Sequence, residues 1–284
     1  MQKKPPWLKR RLPAGPAVEG VRNLIEKSNL HTVCQEARCP NIWECFSCKT
    51  ATFLILGSTC TRNCRFCAVS GGLPSPVDPD EPDKVAEAAE KMQLSYVVVT
   101  SVTRDDLPDG GAGIFARTIF ALRQRIPNVR VEVLIPDFQG DRQALEKVVA
   151  ARPDVLNHNI ETVPRLYPFV RPQADFGRSV ELLARARKID RDIETKSGMM
   201  LGLGETPQEV TEALEALRSA DCRFLTLGQY LQPSREHLPV RRFVPPEEFD
   251  RWKQKALAMG FQHVASGPLV RSSYHAKELY DEEF

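Results

Sequence analysis

The chain has 284 residues, 42% of them hydrophobic and 27% charged, with 39 basic against 37 acidic side chains and a formal net charge of +2. Such values exclude a disordered or fibrous chain, and near-neutrality gives no global field of the kind that draws a protein to nucleic acid or to a membrane surface. The length admits one or two domains with a sizeable core.

At the amino terminus Lys3, Lys4, Lys9, Arg10 and Arg11 precede the first acidic residue, Glu19. Pro5, Pro6, Pro13 and Pro16 interrupt helical periodicity, so this reads as a wrapped or solvated basic arm rather than the amphipathic helix of a transit peptide. No apolar run approaches the length of a membrane span and no secretory stretch opens the chain, so a cytoplasmic protein is expected, with neither nucleic acid nor membrane as partner.

Cysteines come next, at 34, 39, 45, 48, 60, 64, 67 and 222, and seven of the eight fall within residues 34–67. In a chain without export signals disulfides are a poor explanation of that crowding, and metal coordination a better one. The first triplet, Cys34, Cys39 and Cys45, precedes the first strand at 52–56 (TFLIL). The second follows that strand directly, as Cys60-Thr61-Arg62-Asn63-Cys64-Arg65-Phe66-Cys67. Its C-x3-C-x2-C spacing sets three thiolates on one tight loop, enough to hold three irons of a four-iron cubane and leave the fourth open. An open position distinguishes a catalytic metal site from a structural one. A zinc knuckle completed from elsewhere is the alternative. A second cluster on the first triplet needs a fourth ligand of its own, from Cys48, from Cys222, or from an oxygen or nitrogen donor.

Beyond the cysteines, residues 74–82 are a Pro-rich loop, and then strand and helix alternate. Apolar or β-branched runs at 96–100, 129–135, 155–160, 193–201 and 224–227 read as buried parallel strands. Helical patterns lie at 84–92, 114–125, 143–151, 178–189, 208–219 and 247–259. The fifth helix opens with Thr206, Pro207 and Glu209 placed for a capping box. Six such units predict an α/β fold, either an open doubly wound sheet or, preferred here, a partial (β/α)6 barrel, because the octapeptide sits at the carboxyl end of a strand, where barrels place their chemistry. No linker or composition shift marks a second domain. The organisation expected is an amino-terminal extension over 1–50 with the auxiliary cysteines, a barrel over 51–260, and a carboxyl-terminal segment over 261–284, the two extensions covering the barrel mouth.

The octapeptide, following a buried strand, resembles the radical S-adenosylmethionine (SAM) superfamily. That resemblance implies a 4Fe-4S cluster on Cys60, Cys64 and Cys67, whose open iron chelates SAM and whose electron releases a 5′-deoxyadenosyl radical. CQEARCPNIWEC at 34–45 and GPLVRSSY at 267–274, with ATFLILG at 51–57, TSVTRDDLPDGGA at 100–112, NHNIET at 157–162 and KSGMMLGLGET at 196–206, narrow the resemblance to the lipoyl synthases, over residues 33–276. It implies a second, auxiliary 4Fe-4S cluster on Cys34, Cys39 and Cys45, with Ser273 as its fourth ligand. A serine oxygen is a harder and weaker iron ligand than thiolate, which suits a cluster that gives up sulfur. The implied reaction inserts two sulfur atoms, at carbon 6 and then carbon 8 of an octanoyl chain on a carrier lysine, and consumes two SAM molecules. These carbons have no acidic proton for a general base, so a radical is required. Implied partners are octanoylated carriers (lipoyl domains of 2-oxoacid dehydrogenase E2 chains and the glycine cleavage H protein), a ferredoxin or flavodoxin as electron donor, and an iron-sulfur cluster delivery protein. The basic arm would steer toward the acidic surface expected on a carrier domain.

Weaker signals complete the reading. Asn157, Asn159, Glu161 and Lys196 sit at strand ends, where they could hold the cofactor's ribose or carboxylate, and Phe66 joins this cofactor-binding set. Gly202-Leu203-Gly204-Glu205 resembles a glycine-rich ligand loop without the full dinucleotide pattern. The five histidines show no paired metal spacing, Cys48 reads as a free thiol, Cys222 as a packing residue, and Arg271 as a support for the segment bearing Ser273. Other sulfur-inserting radical enzymes and a non-catalytic metal scaffold are the alternative functions.

Overall fold

The structure, a computed structural model, describes residues 3–9, 16–47 and 51–281, with the backbone only of Pro16 and Ala17. Arg10, Arg11 and Cys48 lie outside the described residues. The chain forms two compact units, Leu12–Arg62 with Ala68–Leu156, and Met1–Arg11 with Asn63–Cys67 and Asn157–Phe284. They are termed the amino-terminal and carboxyl-terminal units. The division falls inside a strand and inside the cysteine octapeptide, which is why no linker announces it.

The amino-terminal unit contains β1 (His31–Thr32), β2 (Thr52–Ile55), β3 (Thr59–Cys60), β4 (Ser70–Gly71), β5 (Tyr96–Ser101) and β6 (Arg130–Leu134), with α1 (Pro16–Lys27), α2 (Val33–Glu36), α3 (Ile42–Ser47), α4 (Glu81–Lys91), α5 (Ala112–Arg125) and α6 (Arg142–Ala150). Its sheet order is β1-β2-β5-β6. β2 pairs parallel to β5 and β5 parallel to β6, while β1 adds an antiparallel edge to β2. Every residue of β2 is buried, as expected for parallel strands covered on both faces, and this is why the sequence shows an unbroken apolar run rather than an alternation.

β7 (Val155–Asn157) straddles the division. The carboxyl-terminal unit continues with α7 (Tyr167–Val170), α8 (Phe176–Ile189), β8 (Glu194–Leu201), α9 (Pro207–Ser219), β9 (Phe224–Gln229), α10 (Pro246–Ala258), β10 (His263–Gly267) and α11 (Ala276–Asp281). β8, β9 and β10 are consecutive and parallel. The capping box on α9 forms as its sequence predicts: Thr206 Oγ1 accepts from Glu209 N–H at 3.3 Å and Glu209 Oε2 from Thr206 N–H at 2.8 Å.

Parallel strands alternating with helices give the α/β fold of a partial β/α barrel. Three differences from the sequence reading have local causes. β7 stops at Asn157 rather than 160, because beyond the His158 N–H bond to the Lys196 carbonyl the chain turns through a left-handed Glu161 (φ 65°), which bridges Met199 of β8. α1 occupies a stretch to which the sequence reading assigned no element, and Pro16 at its first position leaves the interior free. β10, HVASG, is a strand that its small residues conceal.

Candidate active site

The octapeptide begins where β2 ends, and its approach is held in a strained turn. Leu56 adopts φ 68° and Gly57 φ 85°. Glu81, the first residue of α4, accepts the Leu56 N–H on Oε2 at 2.7 Å, and Arg104 Nη1 donates to the Leu56 carbonyl at 3.3 Å. Burial raises the Glu81 carboxyl above its ordinary range, against the opposing pull of the Leu56 and Gly57 amides. The base of the loop is then closed by β3 and β4, which pair Thr59 with Ser70 and Cys60 with Gly71.

From Cys60 to Arg62 the loop is fixed by side chains. Thr61 donates both its N–H and its hydroxyl to the Thr103 carbonyl at 3.0 Å, and Thr61 Oγ1 accepts from the Asp105 amide at 3.0 Å. The Arg62 guanidinium is buried, donating to both oxygens of Asp105 at 2.6 and 2.9 Å and to Asp137 Oδ1 at 2.6 Å. Burial works against that cation, but the two carboxylates hold it firmly protonated. The Arg62 N–H lies 3.4 Å from Cys60 Sγ.

From Asn63 to Cys67 the loop belongs to the carboxyl-terminal unit and is held mostly through its backbone. Asn63 N–H donates to Gln173 Oε1 at 2.7 Å, Arg65 N–H to the Val170 carbonyl at 2.9 Å, and Leu238 N–H to the Arg65 carbonyl at 3.2 Å. Cys67 N–H donates to the Cys64 carbonyl at 3.0 Å, closing a tight turn between the two thiols. His237 Nε2 lies 2.9 Å from the Cys67 carbonyl and Nδ1 lies 2.8 Å from Ser234 Oγ. A carbonyl only accepts, so Nε2 is the donor to Cys67. Cys60, Cys64, Cys67 and Phe66 are all half-buried, and none of the three thiols is in a disulfide.

The first triplet is built on two short helices. Thr32 caps α2, accepting the Gln35 N–H at 3.3 Å, and this sets buried Cys34 on the first turn. Cys39 N–H donates to the Cys34 carbonyl at 3.1 Å, and Cys45 N–H, on α3, to the Asn41 carbonyl at 3.0 Å. Burial pushes the Cys34 thiol up to about 11, with Cys39 adding to the shift, so these two sulfurs share one electrostatic neighbourhood. Among the described residues no three Cys, His, Asp or Glu side chains converge as around a single metal ion. A cubane has a different demand, one thiolate for each iron, and buried Cys34 with half-buried Cys39 and Cys45, none of them in a disulfide, fit that donor set.

Ser273 lies in the carboxyl-terminal unit, half-buried, on the segment that follows β10. That segment crosses β9 at van der Waals limits: a Cβ on Gly228 would stand 2.2 Å from the Val270 carbonyl oxygen. The neighbouring Ser272 Oγ accepts from Asn159 Nδ2 at 2.7 Å, and Asn159 Nδ2 also donates to Glu161 Oε1 at 3.0 Å. Arg171 Nη1 donates to the Asn159 carbonyl at 2.9 Å. Burial raises the Glu161 carboxyl despite the nearby Arg171, Asn159 and Arg271.

The structure therefore joins Asn159 and Glu161 in one network, with Asn157 and Lys196 buried at the neighbouring strand positions. Asn159 Oδ1 is buried with no hydrogen-bond partner, and a Cβ on Gly198 would come within 2.7 Å of it and 2.6 Å of Thr226 Oγ1. An orphaned acceptor beside a residue with no room for a side chain fits a ligand hydroxyl, as the ribose of a nucleoside offers. The Gly202 loop is different. Glu205 already takes the N–H groups of Gly202, Leu203 and Gly204 at 2.5, 2.9 and 3.0 Å, so this nest is filled by its own carboxylate rather than left for a phosphate. Sequence reasoning assigned no role to Arg62, Asp105, Asp137, Glu81, His237 or Ser272. Their partners lie 25 to 170 residues away for all of them.

Comparison with known proteins adds to this geometry. Residues 54–217 match the Radical SAM superfamily, and residues 1–39 match the N-terminal domain of lipoyl synthase of the radical SAM family. The lipoyl synthase of Caldicellulosiruptor saccharolyticus is 59% identical over 276 residues, covering 97% of this chain and 97% of its own. That of Rubrobacter xylanophilus is 56% identical over 275 residues, covering 97% of this chain and 86% of its own. Among solved structures, Streptococcus suis SuiB bound to its precursor peptide SuiA aligns with a TM-score of 0.58 at 9% identity, over 92% of this chain and 55% of SuiB. HydG, a maturase of the FeFe-hydrogenase, aligns with a TM-score of 0.56 at 13% identity, over 94% of this chain and 74% of HydG. At such identities these two likenesses show the fold alone.

Proposed function

The chain belongs to the lipoyl synthase family of radical SAM enzymes, and on that premise we propose that it inserts two sulfur atoms into an octanoyl chain borne on a carrier protein's lysine, at carbon 6 and then carbon 8. Each insertion replaces one C–H bond with a C–S bond. The observation that supports this reading best is the pair of cysteine triplets, one following a buried parallel strand and one preceding it, in a chain this close to named lipoyl synthases over 97% of its length.

In this reading Cys60, Cys64 and Cys67 hold the 4Fe-4S cluster that engages SAM, while Cys34, Cys39, Cys45 and Ser273 hold an auxiliary 4Fe-4S cluster. When bound, SAM at the first cluster supplies a hydrogen-abstracting radical and the auxiliary cluster supplies sulfide. The chain's own residues do the positioning. Asn159 offers its free Oδ1 to a cofactor hydroxyl, Glu161 fixes the Asn159 amide, and Asn157, Lys196 and Phe66 complete the cofactor's surroundings. Gly198 has no Cβ to press on Asn159 Oδ1. Ser272, held by Asn159, steadies Ser273. The domain assignment follows these roles: 1–50 for the auxiliary cysteines, 51–260 for the barrel, 261–284 for the segment with Ser273. The carriers are E2 lipoyl domains and the glycine cleavage H protein, the reductant a ferredoxin or flavodoxin, with an iron-sulfur delivery protein to rebuild the auxiliary cluster in the cytoplasm.

Anaerobic single turnover of the reconstituted protein with an octanoyl-lysyl peptide, reductant and SAM, read by mass spectrometry, tests the reading. Gain of two sulfurs is expected. Cys64→Ala is expected to abolish SAM cleavage, and Cys39→Ala to spare cleavage and abolish thiolation. Failure of the two losses to separate would refute the division of roles.

A further inference from the structure

We infer that Arg62 is a positioning residue of the radical-generating site: clamped by Asp105 and Asp137, it holds its own backbone N–H on Cys60 Sγ and thereby sets the reduction potential of the cluster on that thiolate. The inference rests on Cys60 being a cluster ligand, as proposed above.

An arginine on a metal-binding loop ordinarily points its charge to water. This one is 4% exposed at its side chain and spends three hydrogen bonds on two carboxylates, one of them, Asp137, fully buried. Asp137 is itself fixed, since the same Oδ1 accepts the Gln139 N–H at 3.1 Å. Asp105 is fixed through its backbone to Thr61 Oγ1. A buried ion cluster is weak grounds for stability, because desolvation cancels most of the Coulombic gain, and its best-attested use is to enforce one arrangement. Here the arrangement enforced is local. The Thr61 amide is bonded to Thr103 on one side and the guanidinium is held at three points on the other, and between these anchors the Arg62 N–H faces Cys60 Sγ at 3.4 Å.

Hydrogen bonds to the sulfurs are among the determinants of an iron-sulfur cluster's potential. An N–H···S bond strengthens as the sulfur gains negative charge, so it favours the reduced cluster and raises the potential. Losing it lowers the potential. Removing the guanidinium charge while leaving two carboxylates acts in the same direction. Lysine keeps the charge but cannot span both carboxylates as the planar fork does.

The test uses the full-length reconstituted chain in a Cys39→Ala background, so that the cluster on the octapeptide dominates the signal. EPR-monitored redox titration of Arg62→Met is expected to give a midpoint shifted to more negative potential at unchanged iron content, with Arg62→Lys between the two. Pulsed EPR is expected to show one strongly coupled exchangeable proton in the parent that weakens in both variants. Variants that keep their iron, the parent midpoint and the parent proton coupling would overturn the inference. Loss of bound iron in both would also overturn it, by making Arg62 a structural strut. A Cys64→Ala control that kept the EPR signal would instead sink the assignment of the cluster to the octapeptide.

Discussion

Replacing Glu81 with alanine is expected to loosen the turn that leads from β2 into the octapeptide. The cost can be worked from the contacts. The Leu56 N–H is buried and its acceptor at 2.7 Å is the Glu81 carboxylate, so losing that acceptor strands a buried donor, at about 1–3 kcal/mol. The Gly57 amide, half-buried, loses a hydrogen bond to the same carboxylate that water can partly replace, worth about 0.5–1.5 kcal/mol. Leu56 has a left-handed φ of 68°, a conformation costing a non-glycine residue roughly 1–2 kcal/mol, and the Glu81 bond is one of two contacts that hold it there. The sum for the lost bonds is about 3 kcal/mol, which for a chain of this size lowers the Tm by roughly 6–12 °C.

The assay is anaerobic calorimetry of the reconstituted protein beside Glu81→Gln, whose amide oxygen keeps one acceptor. Glutamine is expected to recover most of the stability lost to alanine. The pH dependence supplies a second check. Burial raises the Glu81 carboxyl in the folded state, so the folded protein holds that proton more tightly than the unfolded chain. The group's contribution is fully present below its unfolded value of about 4.3 and is lost as pH rises through the raised folded value. Glu81→Gln removes this term, and parent stability relative to the variant is expected to fall across that window. An alanine variant melting within a degree of the parent would refute the argument.

Two further outcomes follow from the carboxyl-terminal unit. Glu209 is held down to about 2 by Arg165 first and by the Thr206 amide next, so its contribution is present above the unfolded carboxylate value and disappears as pH falls toward about 2; urea midpoints between pH 6 and 3 should fall more steeply in the parent than in Arg165→Ala, and equal slopes would contradict this. Gly228→Ala places a Cβ 2.2 Å from the Val270 carbonyl and must displace the segment bearing Ser273, so thiolation is expected to drop with SAM cleavage retained, whereas Gly267→Ala, 3.4 Å from a flexible Val270 methyl, is expected to be tolerated; equal thiolation in both would be contrary.

What the sequence discloses is what lies close together along it. The parallel strands are legible because burial on both faces writes them as apolar runs, and α9 because Thr206 and Glu209 are three residues apart. The octapeptide is legible for the same reason. The residues that orient it are not. Arg62 meets Asp105 across 43 positions and Asp137 across 75, Asn159 meets Ser272 across 113, and His237 meets Cys67 across 170. No local periodicity encodes such pairs. TSVTRDDLPDGGA stands out in the chain, yet only the fold explains why Thr103 and Asp105 are in it: one offers a carbonyl to Thr61 and the other a carboxylate to Arg62. Glu205 is the converse case, a glycine-rich segment whose apparent ligand nest closes on its own side chain.

The octapeptide also shows why its intervening residues are unequal. Arg65 contributes only main-chain groups to the contacts with Val170 and Leu238, and Asn63 only its N–H to Gln173, contacts that any residue compatible with the backbone could make. Thr61 and Arg62 contribute hydroxyl and guanidinium, which few residues can replace. Three thiols on one short loop would pucker freely if the chain between them were free. Side-chain anchors at Thr61 and Arg62 and main-chain anchors from Asn63 onward limit that freedom, and the three thiols stay half-buried. Sequence identity is therefore demanded in the first half of the loop and mainly backbone shape in the second, a division that the spacing of the cysteines alone does not contain.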